Sequence, residues 1–180
     1  MLEMILEDIE NAVQNKSYLS ALALTLSLPE ICGKISVGHS EYFYSEWFDK
    51  WVYPYCYNEQ EEMKKNNPDP RIIEVLEVKF DGIACYNLRN ALLHEGTTKL
   101  RNIKGHEIEY FELYHNGDSE FQLCEMTGLI TDNDGIKKWC FRINIICLIK
   151  NIVEGCRKFI KNNEEVVAKC NFVKLIDWDK

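Results

Sequence analysis

Phe80-Asp81-Gly82-Ile83-Ala84-Cys85-Tyr86-Asn87-Leu88-Arg89-Asn90-Ala91-Leu92-Leu93-His94-Glu95-Gly96 is the stretch on which the fold turns. At about 100° per residue, Phe80, Ala84, Leu88, Ala91 and Leu92 share one arc, so the spacing predicts a helix that buries this face. Gly96 supplies the left-handed residue that ends such a helix. Upstream, Asp69-Pro70 reads as an N-cap with proline in the first helical position, with a break expected near Asp81-Gly82. A second, semi-apolar face carries Ile83, Tyr86 and Leu93 beside Asn90 and His94, a surface suited to burial against another subunit. Arg89 and His94 lie five residues apart, which on a uniform α-helix means about 140° of rotation and about 7.5 Å of rise.

The flanking segments predict more helices. Leu2, Ile5, Leu6, Ile9 and Val13 mark an amphipathic helix over 2–14. Residues 18–35 are apolar nearly all round, a buried element kinked or restarted at Pro29. Phe43, Trp47 and Trp51 repeat every four residues as a core stripe, with Glu46, Asp49 and Lys50 facing away. The polar segment 58–70 reads as an exposed loop. Over 107–125 the period changes, and Asn116-Gly117 between Phe111–His115 and Glu120–Leu123 predicts a β-hairpin. Residues 136–162 read as a long helix with Ile136, Trp139, Cys140, Ile143, Ile146, Cys147 and Val153 on one face. Residues 172–178 fit either a strand or a short helix. The fold class expected is mainly α: one domain, 1–180, an antiparallel bundle of four to five helices with a β-hairpin inserted at about 106–125.

The 180 residues are 46% hydrophobic and 28% charged, an ordinary globular composition. The acidic start, with Glu3, Glu7, Asp8 and Glu10, is the opposite of a secretory signal, and the most apolar segment, Tyr18–Ile31, is interrupted by Ser, Thr, Pro29 and Glu30. A cytoplasmic protein without a membrane partner is expected. Eight cysteines without a C-x-x-C pair read as reduced thiols rather than zinc ligands. No Walker loop, dinucleotide fingerprint or G-x-S-x-G elbow is present, so no cofactor and no metal is expected. The net charge of −8 excludes a general nucleic-acid coat. It is uneven, however: 136–163 holds seven basic groups against Glu154, net +6, and 89–104 holds four against Glu95, net +3.

Arg89, Asn90 and His94 are the candidate catalytic residues. Attack by a ribose 2′-hydroxyl on phosphorus needs a proton carrier near neutral pH, which histidine is, and a cation for the crowded phosphate. Arg89 keeps its charge and offers a planar fork of donors, and Asn90 can orient His94 or bind phosphate or ribose. A position in the last helical turn favours the imidazolium form of His94. The plainer reading of the same residues is an Arg89 bridge to an acidic neighbour and a His94 that bonds the last carbonyls. A second Arg-x4-His copy, Arg101 to His106, has Gly105 before its histidine and lies beyond the helix end, so its spacing is not fixed. His39 and His115 read as surface residues.

Leu88 to Gly96, with Arg-x4-His at the C-terminal part of a helix in a small bundle, resembles the HEPN superfamily of ribonucleases, in particular small bacterial and phage-type HEPN-like proteins with an inserted hairpin. The resemblance covers residues 88–96 in sequence and about 17–162 in layout. It implies a homodimer with a composite, metal-independent RNA-cleaving site, His94 as general acid or base, Arg89 as transition-state stabiliser, and products with 2′,3′-cyclic phosphate and 5′-hydroxyl ends. A toxin or phage-defence setting follows, with RNA and an antitoxin or other protein as candidate partners. The alternative is a non-catalytic helical dimer module that binds RNA, nucleotide or a protein.

Overall fold

The computed structural model describes residues 1–37, 42–54, 62, 65, 66, 80–97, 108–115, 125–131 and 137–170. Its order is α1 (Leu2–Gln14), α2 (Tyr18–Thr25), α3 (Leu28–Val37), α4 (Phe43–Trp51), α5 (Gly82–Asn90), a π-helical turn (Ala91–Glu95), β1 (Ile108–Tyr114), β2 (Glu125–Thr131), β3 (Lys137–Asn144), α6 (Ile145–Asn162) and α7 (Glu164–Ala168). The chain is mainly helical. Asp69, Pro70, Asn116, Gly117, Arg101, His106, His39 and the stretch 172–178 lie outside the described residues.

The apolar periodicity of α1 seats Leu2, Leu6 and Ile9 in the core. The apolar segment after it is two helices: α2 ends at Thr25, whose hydroxyl donates back to the Ala21 carbonyl at 2.7 Å, and α3 restarts with Pro29 in its first turn. Proline lacks the N–H that a first turn leaves unpaired anyway, so it marks the restart rather than a kink. By length and composition Tyr18–Ser36 could cross a membrane. Here the segment is broken, and Ala21, Leu22, Leu26, Leu28 and Cys32 are fully buried among the other helices.

On α4 the buried face is Tyr44, Trp47 and Phe48, with Phe43 and Trp51 half-buried at its margins and Glu46, Asp49 and Lys50 exposed. Trp47 and Trp51 both meet Phe159 of α6 edge-on, at 6.0 and 5.7 Å between centroids. The α6 helix packs on α2, α3 and α4 through Leu148, Ile152, Cys156 and Phe159.

Of the hairpin expected at 106–125, the first arm falls in β1, and the turn and second arm, 116–124, lie outside the described residues. The strand order is β1-β3-β2, with β1 parallel and β2 antiparallel to β3, so β1 and β2 are not neighbours. Residues 137–144 of the long helix expected over 136–162 form β3 instead. Phe141 and Ile143 alternate inward, and Arg142 stands directly opposite Glu112 on β1, its Nε donating to Oε2 at 2.6 Å. Asn144 then ends the strand and caps α6, its Oδ1 accepting from the Ile146 and Cys147 amides. With the helix starting there, its buried face is Ile145, Leu148, Ile149, Ile152, Cys156 and Phe159, and Ile146 and Cys147 are only half-buried.

Phe80 joins the sheet to the helices. It is fully buried and meets Phe48 of α4, Phe111 of β1 and Phe141 of β3 edge-on, at 6.1, 6.4 and 5.4 Å. Immediately after it, Asp81 caps α5 by accepting from the Ala84 amide at 2.9 Å, and Asp49 of α4 accepts from the Gly82 amide at 2.7 Å. These two carboxylates set where α5 starts and tie it to α4.

Candidate functional site

The α5 helix buries Ala84, Cys85 and Leu88 and turns Ile83 and Tyr86 outward. It then changes its winding. Ala91–Glu95 is a π-helical turn, in which the Gly96 amide and the Thr97 amide both reach the Ala91 carbonyl, the latter at 3.0 Å. Gly96 closes it at φ 59 and ψ 31, a left-handed conformation that glycine adopts without the Cβ penalty.

The winding decides the site. The 140° expected between Arg89 and His94 assumes uniform α geometry, whereas closure onto the fifth residue stacks residue i+5 near residue i. His94 Nε2 lies 3.1 Å from Arg89 Nη1, and the same Nη1 donates to Asn90 Oδ1 at 3.0 Å. The three candidate catalytic residues therefore meet within one chain. A guanidinium has only donors, so a hydrogen bond between the two groups uses a ring-nitrogen lone pair of His94.

A fourth residue completes the cluster. Glu30 of α3 accepts from Arg89 Nη2 through Oε2 and from Lys34 Nζ through Oε1 at 2.7 Å. Arg89 is 16% exposed, and its buried Nε has no hydrogen-bond partner among the described residues. The expected bridge from Arg89 to an acidic neighbour is thus present together with the His94 contact, on different nitrogens of one fork. Sequence reading missed Glu30. Its signal was available, since it is the one carboxylate in the apolar stretch 18–37 and has Lys34 one turn on.

Below the cluster, Tyr44 is buried and donates to the Leu26 carbonyl at 3.1 Å, with Cys85 Sγ at 3.5 Å. Burial pushes its phenol up, so it stays a protonated donor. Its ring meets Tyr86 edge-on at 5.2 Å, and the Arg89 guanidinium lies 6.0 Å from the Tyr86 centroid. Around the rim, Ile83, Tyr86 and Leu93 are 52%, 43% and 40% exposed. This is the face expected to meet another subunit, and it borders the polar cluster. His115 is exposed with its ring against Tyr18, away from α5 in sequence and on β1's end. Among the described residues, no three His, Cys, Asp or Glu side chains gather as metal ligands.

The basic segments are partly neutralised where they are described. Arg157 pairs with Glu10 and Glu154, and Arg142 pairs with Glu112.

Glu30 also gives the cluster a pH signature. Burial works to raise its pKa, but the Lys34 hydrogen bond and the Arg89 charge outweigh it, and the carboxyl ends below its ordinary 4.5. A depressed folded-state pKa contributes stability that is full above the unfolded value and is lost as pH falls through the folded one. The expected result is a melting temperature that drops below about pH 4.5, with a shallower drop in Glu30→Gln; pH-resolved thermal denaturation of the two proteins checks it.

No family model, no curated protein and no solved structure matches this chain.

Proposed function

We propose that this chain is a metal-independent endoribonuclease of the HEPN type, which acts as a homodimer in a toxin or phage-defence setting. The observation that carries the reading is the hydrogen-bonded cluster of Arg89, Asn90 and His94 at the rim of an exposed apolar face. His94 Nε2 takes the proton of the ribose 2′-hydroxyl. The oxygen then attacks phosphorus, the 5′-oxygen departs, and the products are a 2′,3′-cyclic phosphate and a 5′-hydroxyl. Arg89 moves its donors from Glu30 to the phosphate oxygens, which carry more charge in the transition state than in the ground state. Asn90 holds the other side of the fork. Two-fold packing of the Ile83, Tyr86 and Leu93 face brings a second histidine to the same groove, which supplies the proton for the leaving oxygen.

The Glu30 ion pair favours a second reading. A cation already matched by a carboxylate suits a helical module that binds RNA or a protein partner without cleaving it. Concentration dependence separates the two. For a composite site, cleavage of single-stranded RNA in EDTA rises faster than linearly with protein concentration across the dimerisation range seen by sedimentation. Leu93→Glu, which places a charge on the exposed face, abolishes both dimer and cleavage. A chain that sediments as a monomer at micromolar concentration contradicts the composite site, and RNA bound but left intact favours the module.

A further inference from the structure

Cys32 of α3 and Cys156 of α6 stand 124 residues apart in sequence with their sulfurs 3.6 Å apart, both fully buried. A disulfide needs about 2.05 Å, so the sulfurs have about 1.5 Å left to close. Both helices are seated directly on α4. A Cβ at Gly33 would lie 2.5 Å from the Phe43 carbonyl oxygen, and one at Gly155 would lie 2.9 Å from that of Trp51. Each glycine adjoins one of the two cysteines. The backbones of α3 and α6 are thus both held close against α4, with the two cysteines side by side.

We infer that Cys32 and Cys156 are a closable dithiol, a staple between α3 and α6 that becomes a disulfide when the chain folds in the presence of a low-molecular-weight disulfide such as oxidised glutathione. One cysteine thiolate attacks glutathione disulfide and expels one glutathione, leaving a mixed disulfide. The other thiolate attacks the protein-bound sulfur and expels the second glutathione. The protein loses two hydrogens and two electrons, and the two glutathione thiols carry them. Closure belongs to the folding chain. In the folded protein the Cys156 hydrogen bond and burial both keep Cys32 protonated, and the core excludes the oxidant. The same exclusion then protects the closed bond from reductants. Because Glu30 lies two residues before Cys32, the staple also fixes the helix that bears the Arg89 counterion, though it stands apart from any catalytic reading.

The test is refolding of the full chain from denaturant in a glutathione redox buffer and, in parallel, in dithiothreitol, followed by alkylation and peptide mapping. The staple predicts a dominant Cys32–Cys156 cross-linked peptide and a melting temperature raised on the order of 10 °C over the reduced protein, since the bond closes a long loop. It further predicts that dithiothreitol opens the bond only under unfolding conditions. Cys32→Ala and Cys156→Ala each remove the peptide and the gain, while the comparison of oxidised with reduced wild type needs no variant to fold. Alkylation of both residues after oxidative refolding, dominant pairing with other cysteines, or a lowered melting temperature overturns the inference.

Discussion

Arg89→Ala is expected to slow RNA cleavage on the order of a thousandfold while the protein stays folded. Removal of one preorganised donor to a developing oxyanion costs about 10²–10³ in rate, and Arg89 is asked to supply the charge as well as the donor. The same substitution releases the two hydrogen bonds of Nη1 that hold Asn90 and His94. Its structural cost is smaller. Glu30 loses a counterion, but it is 27% exposed and keeps Lys34, so about 1 kcal/mol is lost, well under the cost of orphaning a fully buried charge. Arg89→Lys separates the two effects. An ammonium can still face Glu30 and restore the melting temperature, but it cannot reach Glu30, Asn90 and His94 in one plane, so most of the rate loss remains. Cleavage rates paired with melting curves for the two variants check this.

Phe80→Ala is expected to have the largest effect on stability, about 4 kcal/mol, with a melting temperature lowered on the order of 10 °C. The ring is fully buried and meets one ring on α4 and one on each of β1 and β3, so its loss leaves a cavity that neither layer can fill alone. Phe111 and Phe141 already stack on each other at 6.0 Å and cannot both turn into the space. Because Asp81 and Gly82 follow Phe80 directly, the start of α5 loosens with it. Denaturant titration measures the loss, and Phe80→Leu, which keeps more of the volume, costs less.

The parts of the fold that were legible in the sequence are those governed by local rules. The face of α1, the restart at Pro29, the buried arc through Ala84 and Leu88 and the left-handed Gly96 each follow from periodicity or from one residue's backbone preference. The exposed face of Ile83, Tyr86 and Leu93 follows from the same arc by exclusion. What failed depended on partners distant in sequence. Residues 137–144 satisfy a helical spacing through Trp139, Cys140 and Ile143 and a strand alternation through Trp139, Phe141 and Ile143, and only pairing with β1 and β2 decides between them. The Asn116-Gly117 turn and the strand expected after it lie outside the described residues.

The residue types of the candidate site were legible, and their geometry was not. The residue types of Arg89, Asn90 and His94 suggested the chemistry, but α-helical arithmetic set Arg89 and His94 on different faces. The π turn over Ala91–Glu95 reverses that, and nothing in Ala-Leu-Leu announces it. Glu30 sits 59 residues earlier on another helix, where only the tertiary packing of both α3 and α5 against α4 brings it to Arg89.

The central claim is that this cluster cleaves RNA with the chain's own side chains. The measurement that meets it most directly is incubation of single-stranded RNA in EDTA with wild type and with His94→Ala, with the product ends identified and the two melting curves compared. The account predicts fragments with 2′,3′-cyclic phosphate ends from wild type, and a His94→Ala protein that melts like wild type and leaves the RNA intact. Intact RNA with wild type at high enzyme dose, or undiminished cleavage by His94→Ala, contradicts it.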